Sequence, residues 1–156
     1  MRILITGVPG SGKTDIGDYL NTDHDFYHLN MELDGITHIQ EFIDDPTVFF
    51  QQFNEHSNVV VTWGFSTAHT ERIQNGFLPA GFKWFWFDGN REASLSAFRT
   101  RTGDDPMARL DYNTQIANIA NANLPDTTRG MILYNPFDSS GTFKERELIV
   151  TELLEL

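Results

Sequence analysis

Apolar residues recur along the chain in five short runs separated by longer mixed segments. Ile3-Leu4-Ile5 runs into a glycine, and Phe26-Tyr27-His28-Leu29 is a weaker second run. Val59-Val60-Val61-Thr62-Trp63 stops at Gly64, Phe82-Lys83-Trp84-Phe85-Trp86-Phe87 at Asp88-Gly89-Asn90, and Met131-Ile132-Leu133-Tyr134 at Asn135-Pro136. Their β-branched and aromatic content and their glycine, asparagine and proline stops predict strands. Several are apolar at nearly every position, the pattern of parallel strands covered by helices on both faces.

The segments between them carry helical spacing. Helices are expected over Lys13–Leu20, Pro46–Phe53, Ser66–Asn75 with Gly76 as its stop, Arg91–Arg101, Asp105–Ala120 with Pro106 in its first turn, and Phe143–Leu154. Alternation of this kind predicts an α/β domain, a parallel sheet with right-handed crossovers. The whole chain, 1–156, reads as one domain with two inserts, about 32–57 and about 99–112.

Composition narrows the function classes. A chain of 156 residues with 40% hydrophobic and 21% charged residues is an ordinary globular domain. The absence of cysteine excludes disulfides, thiolate metal sites and cysteine nucleophiles. No apolar run approaches the roughly 18 residues of a membrane span, and Met1–Gly7 is too short for a signal peptide, so a cytoplasmic location is expected. The net charge of −11 disfavours nucleic acid and anionic membrane as partners. The sequence gives no oligomeric state. Charge is also unevenly spread. Thr14 to Thr70 holds ten acids and no Lys or Arg, whereas Arg91, Arg99, Arg101 and Arg109 lie close together.

One motif carries specific chemistry. Gly7-Val8-Pro9-Gly10-Ser11-Gly12-Lys13-Thr14 fits G-x-x-x-x-G-K-[ST] at every fixed position, with a strand before it and a helix after it. Glycines let successive N–H groups curl towards phosphate oxygens, and the helix presents its positive end to the same anion. Lys13 is expected on the β- and γ-phosphates and Thr14 on Mg²⁺.

With this loop, its size and its strand spacing, the chain resembles the P-loop small-molecule and nucleoside monophosphate kinases, among them the adenylate-kinase and shikimate-kinase groups. The resemblance implies a three-layer P-loop NTPase fold with a five-stranded parallel sheet in order 2-3-1-4-5. It also implies ATP and Mg²⁺ as cofactors, an acceptor-binding insert after strand two and an arginine-bearing lid after strand four. The ATP site would comprise Gly7, Pro9, Gly10, Ser11, Gly12, Lys13 and Thr14, with Arg99 and the loop residues Asn135 and Pro136 near the base. Met31-Glu32-Leu33-Asp34 is similar to the acid-x-acid segment of shikimate-type kinases, which implies Glu32 as a metal ligand through water and Asp34 as the group that orients the acceptor hydroxyl. Arg99-Thr100-Arg101 resembles the lid entrance, which makes Arg99 and Arg101 candidate catalytic charge stabilisers beside Lys13.

Trp63-Gly64-Phe65-Ser66-Thr67 resembles the Asp-Gly-Phe-Pro-Arg turn of adenylate kinases, with Trp63 in place of the acid and Thr67 in place of the arginine. Trp63 is read either as a packing residue or as a surface that stacks on the acceptor. The five histidines read as ordinary surface or half-buried residues, and Trp84–Phe87 as a central strand. A phosphate dianion beside the acidic 14–70 stretch would be strongly disfavoured without a cation, Arg72 being the nearest candidate, so a neutral or cationic hydroxyl acceptor is expected. Two further functional classes stay open: a regulatory nucleotide-binding P-loop NTPase without an acceptor, and an adenylate-like nucleoside monophosphate kinase.

Overall fold

The computed structural model describes residues 1–33, 37–64, 67–103, 105–124 and 128–156. Strands β1 (Arg2–Gly7), β2 (Tyr27–Asn30), β3 (Val59–Thr62), β4 (Lys83–Phe87) and β5 (Met131–Tyr134) form one parallel sheet in the order β2-β3-β1-β4-β5. This is the order the sequence resemblance implied. In register, Ile5 on the central strand lies opposite Thr62 on one side and Phe85 on the other. The helices are α1 (Lys13–Asp23), α2 (Thr37–Asp44), α3 (Pro46–Gln51), α4 (Thr70–Phe77), α5 (Arg91–Thr102), α6 (Pro106–Asn121) and α7 (Arg146–Glu155). Among the described residues no helix is long and apolar enough to cross a membrane.

Strand alternation divides the core into two layers. Ile3, Ile5, Val60, Phe85 and Phe87 face α1 and α7, and pack on Ile16, Leu20, Ile149, Val150 and Leu153. Leu4, Val59, Val61 and Trp84 face the other way, onto Phe42, Phe49, Phe53, Ile73 and Phe77. On that second face Trp86 meets Val8, Ile119 and Leu124. Each fully buried side chain of this size contributes about 1.5–3 kcal/mol relative to exposure. The buried polar side chain on central β1, Thr6, is satisfied: its hydroxyl accepts from the Trp84 indole N–H at 2.8 Å and donates to the Phe85 carbonyl at 3.3 Å.

The structure departs from the expected elements in places with identifiable causes. Helix α2 was not anticipated, because its three apolar residues, Ile39, Phe42 and Ile43, span little more than one turn and Phe42 alone is fully buried. Phe42 nevertheless organises the region, its ring meeting Phe49, Phe77 and Trp63 at 5.4, 5.1 and 5.9 Å. Gly76 does not stop a helix. It lies inside α4, where a Cβ would stand 2.8 Å from Cε2 of Phe42, so the residue is small to let that ring in. Helix α4 begins at Thr70, after a 3₁₀ turn over Thr67–His69, and Ser66 lies outside the described residues. The last helix begins at Arg146, later than expected, because Phe143 pairs with Phe137 in an isolated bridge. The 99–112 segment comprises the end of α5, residues 103–105 and the first turns of α6.

His28 ties three elements together. Its Nδ1 lies 2.9 Å from Oδ1 of Asp18 on α1, and its Nε2 lies 2.8 Å from Oγ1 of Thr62 on β3. A carboxylate only accepts, so Nδ1 donates to Asp18, and in the neutral ring Nε2 accepts from the Thr62 hydroxyl. Burial, partly opposed by Asp18, holds the imidazole below its ordinary value of 6.5. A histidine depressed in the folded state binds fewer protons there than in the unfolded chain. It therefore contributes stability above pH 6.5 that is lost as pH falls below it. The urea midpoint should fall between about pH 7.5 and about pH 5.5, and His28→Gln should remove part of that fall. A pH slope unchanged by the substitution would assign the dependence to other groups.

Candidate functional site

The site begins where β1 gives way to α1. The loop leaves the sheet still paired to it, the Val8 N–H donating to the Phe87 carbonyl at 3.0 Å. Gly10 sits at φ +74°, and a Cβ there would lie 2.0 Å from the Ser94 carbonyl oxygen, so only glycine admits α5 so close. Gly12 caps α1 at φ +84° and brings no side chain to the first-turn amides. Those N–H groups and the positive helix end are therefore directed at the space inside the loop. The Ser11 hydroxyl is fully buried, has no hydrogen-bond partner among the described residues, and lines the same space. An uncapped helix N-terminus with a buried unpaired donor is a fit for a phosphate group.

Lys13 is buried across the loop, its Nζ donating to the carbonyls of Gly7 at 3.2 Å and Val8 at 2.8 Å. Desolvation lowers its pKa to about 8, against the attraction of Glu32 and with the repulsion of Arg101 added. These three charges face one another across a cleft of about 1110 Å³. Glu32 follows β2, and its Oε2 accepts from the Gly64 N–H at 3.1 Å. The carboxylate thus stands at the end of β3, where the chain's own next residue is Trp63. Trp63 is a packing residue, 2% exposed, with its ring against Phe42 and His69. Stacking on an acceptor, one of the two readings from sequence, does not hold for a ring so enclosed.

The two lid-type arginines separate. Arg101 lines the cleft, its guanidinium over the Phe98 ring at 5.5 Å. Arg99 is on another side of α5, beside Glu92, Leu95, Ser96 and Thr100. Two residues along a helix is about 200° of rotation, so both cannot face one cleft. Asp34 lies outside the described residues, and Arg72 and Arg109 are exposed away from the cleft lining. Asn135 and Pro136 do not line it either. Asn135 Oδ1 accepts from the Phe137 N–H at 3.0 Å, and Pro136 is buried, so both build the loop after β5.

That loop reaches the cleft a few residues later, through Phe143, Lys144, Glu145 and Arg146, which sequence reasoning passed over. The available signal was the aromatic–basic order of Phe143-Lys144-Glu145-Arg146 just before a helix. Arg146 forms a bidentate pair with Asp15, 2.9 Å from Nε to Oδ2 and 2.5 Å from Nη2 to Oδ1. Asp15 follows the motif directly, and Arg146 offsets the negative charge it sets at the mouth of the loop. Lys144 is held by Glu152 at 2.8 Å.

Among the described residues, no group of three or more histidines, aspartates or glutamates gathers to hold a metal ion. The two metal ligands expected from the sequence, the Thr14 hydroxyl and the Glu32 carboxylate, both line the cleft. That set suits a hard cation that keeps most of its waters, as Mg²⁺ does when it also takes phosphate oxygens.

The Lys13 pKa sets a pH limit on anion binding. Below about 8 the side chain is charged and attracts phosphate, and above it the charge is lost. ATP affinity should weaken by up to about tenfold per pH unit above that value. Titration calorimetry across the range checks this, with Lys13→Met expected to be weak and flat. A wild-type profile flat through pH 9 or so would show that Lys13 does not contact the anion.

No family model matches the chain, and no curated protein matches it in sequence. Solved structures do match. A gluconokinase from Sinorhizobium meliloti 1021 superposes with a TM-score of 0.59 at 17% identity, over 99% of this chain and 89% of that one. A shikimate kinase from Bacteroides thetaiotaomicron gives 0.59 at 17% over 100% and 99%. A deoxyadenosine kinase from M. mycoides with bound dATP gives 0.50 at 12% over 99% and 100%. With the parallel sheet in the order β2-β3-β1-β4-β5, these likenesses show that the chain has the P-loop kinase fold.

Proposed function

We propose that this protein is an ATP-dependent small-molecule kinase that transfers the γ-phosphate to a neutral or cationic hydroxyl acceptor. The observation that carries this reading is the meeting of Lys13, Glu32 and Arg101 at one cleft over the phosphate loop. In this reading the loop amides and the Ser11 hydroxyl bind the phosphates. Lys13 exchanges the Gly7 and Val8 carbonyls for phosphate oxygens, which replaces two neutral acceptors by charged ones. Arg101 neutralises charge on the transferring group from the opposite wall. Asp34 is proposed to orient the acceptor hydroxyl. Thr14 and Glu32 would hold Mg²⁺, which when bound supplies charge neutralisation between the phosphates.

The charge of the cleft supports the acceptor class. Its lining includes Asp15, Asp18, Glu32, Asp111, Glu145 and Glu147. Of its cations, Arg146 is engaged by Asp15 and Lys144 by Glu152, which leaves Lys13 and Arg101 for the phosphates. An anionic acceptor would add charge without a further partner, whereas an amine or a polyol would meet carboxylates that accept hydrogen bonds. Trp63, buried where an adenylate-type turn carries an acid, favours the second reading, a nucleotide-binding regulator without an acceptor. Glu32 argues against it, because it delivers a carboxylate to the same strand end from β2.

The experiment is a phosphorylation screen with ATP, Mg²⁺ and panels of neutral, amine-bearing and anionic hydroxyl compounds. Neutral or amine-bearing compounds should be turned over fastest, and Arg101→Ala and Glu32→Gln should each lower kcat about 10²–10³-fold. Nucleotide binding without acceptor-dependent turnover would establish the regulatory reading instead. A nucleoside monophosphate as the best acceptor would overturn the charge argument.

A further inference from the structure

Helix α6 turns one charge towards the cleft and its other charge away. Over Pro106–Asn121 its charged residues are Arg109 and Asp111. Two positions along a helix is about 200° of rotation, so the two cannot share a face. Asp111 lines the cleft together with Gln115, one turn further on, and Arg109 does not. Packing fixes this rotation. Tyr112, buried beside Asp111 in sequence, donates its hydroxyl to the Arg91 carbonyl at 3.0 Å and sets its ring against Phe98 with centroids 5.6 Å apart. Two turns on, Ile119 packs with Trp86 and Val8. With α6 held to α5 and to the sheet, Asp111 faces the same space as Phe98, Arg101 and Thr102 of α5. The chemistry of this corner is one-sided. Gln115 Nε2 donates to Oδ2 of Asp111 at 3.0 Å, so the amide orients the carboxylate. Oδ1 of Asp111 and Oε1 of Gln115 are left as two acceptors beside a full negative charge. Among the described residues no lysine or arginine forms an ion pair with Asp111.

We propose that Asp111, oriented by Gln115, selects an amine-bearing acceptor by receiving its ammonium group. The inference rests on the kinase reading, and narrows its neutral or cationic acceptor to a hydroxyl compound that also carries an amine. An ammonium brings three donors and the opposite charge to the two oxygens. A neutral polyol can donate to the same oxygens but gains nothing from the charge. A carboxylate or phosphate would meet its own sign there, and in the kinase reading Lys13 and Arg101 already serve the nucleotide. The carboxylate is held in place by its own helix before anything binds, so little freedom is lost when the amine arrives.

The test separates the amine from the rest of the acceptor. Steady-state kinetics with ATP and Mg²⁺ are run on matched compounds: glucosamine against glucose and N-acetylglucosamine, and ethanolamine against ethylene glycol. In the wild type the amine of each set should have the lowest KM. Asp111→Asn keeps the shape and removes the charge. It should raise KM for the amines about 10–100-fold, and leave KM for ATP and for the neutral compounds within about twofold. The ATP and neutral arms also report that the variant is folded. Asp111→Lys should invert the order, so that gluconate is preferred to glucosamine. Equal rises in KM for amines and neutral compounds would make Asp111 a support of α6 and overturn the proposal. So would a wild type that does not favour the amines, or a preference for them that survives in Asp111→Asn. A wild type that phosphorylates no hydroxyl compound would instead remove the kinase reading on which the proposal stands.

Discussion

The Lys13 ammonium is buried against the Gly7 and Val8 carbonyls, and the surrounding architecture follows from what that burial requires. A cation removed from water must find acceptors close by, and only a chain that turns tightly over it can offer two backbone carbonyls at once. The tight turn in turn depends on the sheet. Val8 remains bonded to β4 through Phe87, and α5 approaches Gly10 to within the reach of a methyl group. The arrangement holds a charge in readiness. Two neutral carbonyl acceptors keep the ammonium in place, and in the proposed reading these are the contacts that phosphate oxygens would replace.

The two faces of the sheet serve this loop differently. On one side α1 and α7 form a conventional aliphatic layer that anchors the helix on which the loop ends. On the other, an aromatic layer built from Phe42 of α2, Phe49 of α3 and Phe77 of α4 packs against Trp63. Edge-to-face aromatic pairs each add about 0.5–1.5 kcal/mol beyond their buried area. They seat α2 and α3 on the sheet through their own rings, Phe42, Phe49 and Phe50, with Phe53 just beyond. The polar surface of the insert is then free to carry acids without cost to packing.

The strands, the parallel character of the sheet and the phosphate-loop motif were legible because each rests on local signals, continuous apolar runs, a glycine stop and a motif with fixed spacing, whereas the strand order came from the family resemblance. What was not legible depended on partners distant in sequence. Gly76 has the composition of a helix stop, and only the position of Phe42 shows that it is a packing site. Arg99 and Arg101 look equivalent in a motif, and helical rotation separates them. Asn135-Pro136 opens the loop that reaches the cleft, but the residues facing the cleft come after a turn whose closure depends on Asp138 and Glu152. Glu32 was found by resemblance. Its position at the end of β3, which answers the Trp63 departure, follows from pairing between β2 and β3.

The bonds from Glu152 to Lys144 and Tyr134 place a support of the cleft in α7, which follows every other described element in sequence order. The Asp15–Arg146 pair likewise joins the first helix to the first residue of α7. On the ribosome, the sheet from β1 to β5 emerges before this helix does. A nascent chain can therefore acquire its motif, and much of its core, well before its cleft has both walls.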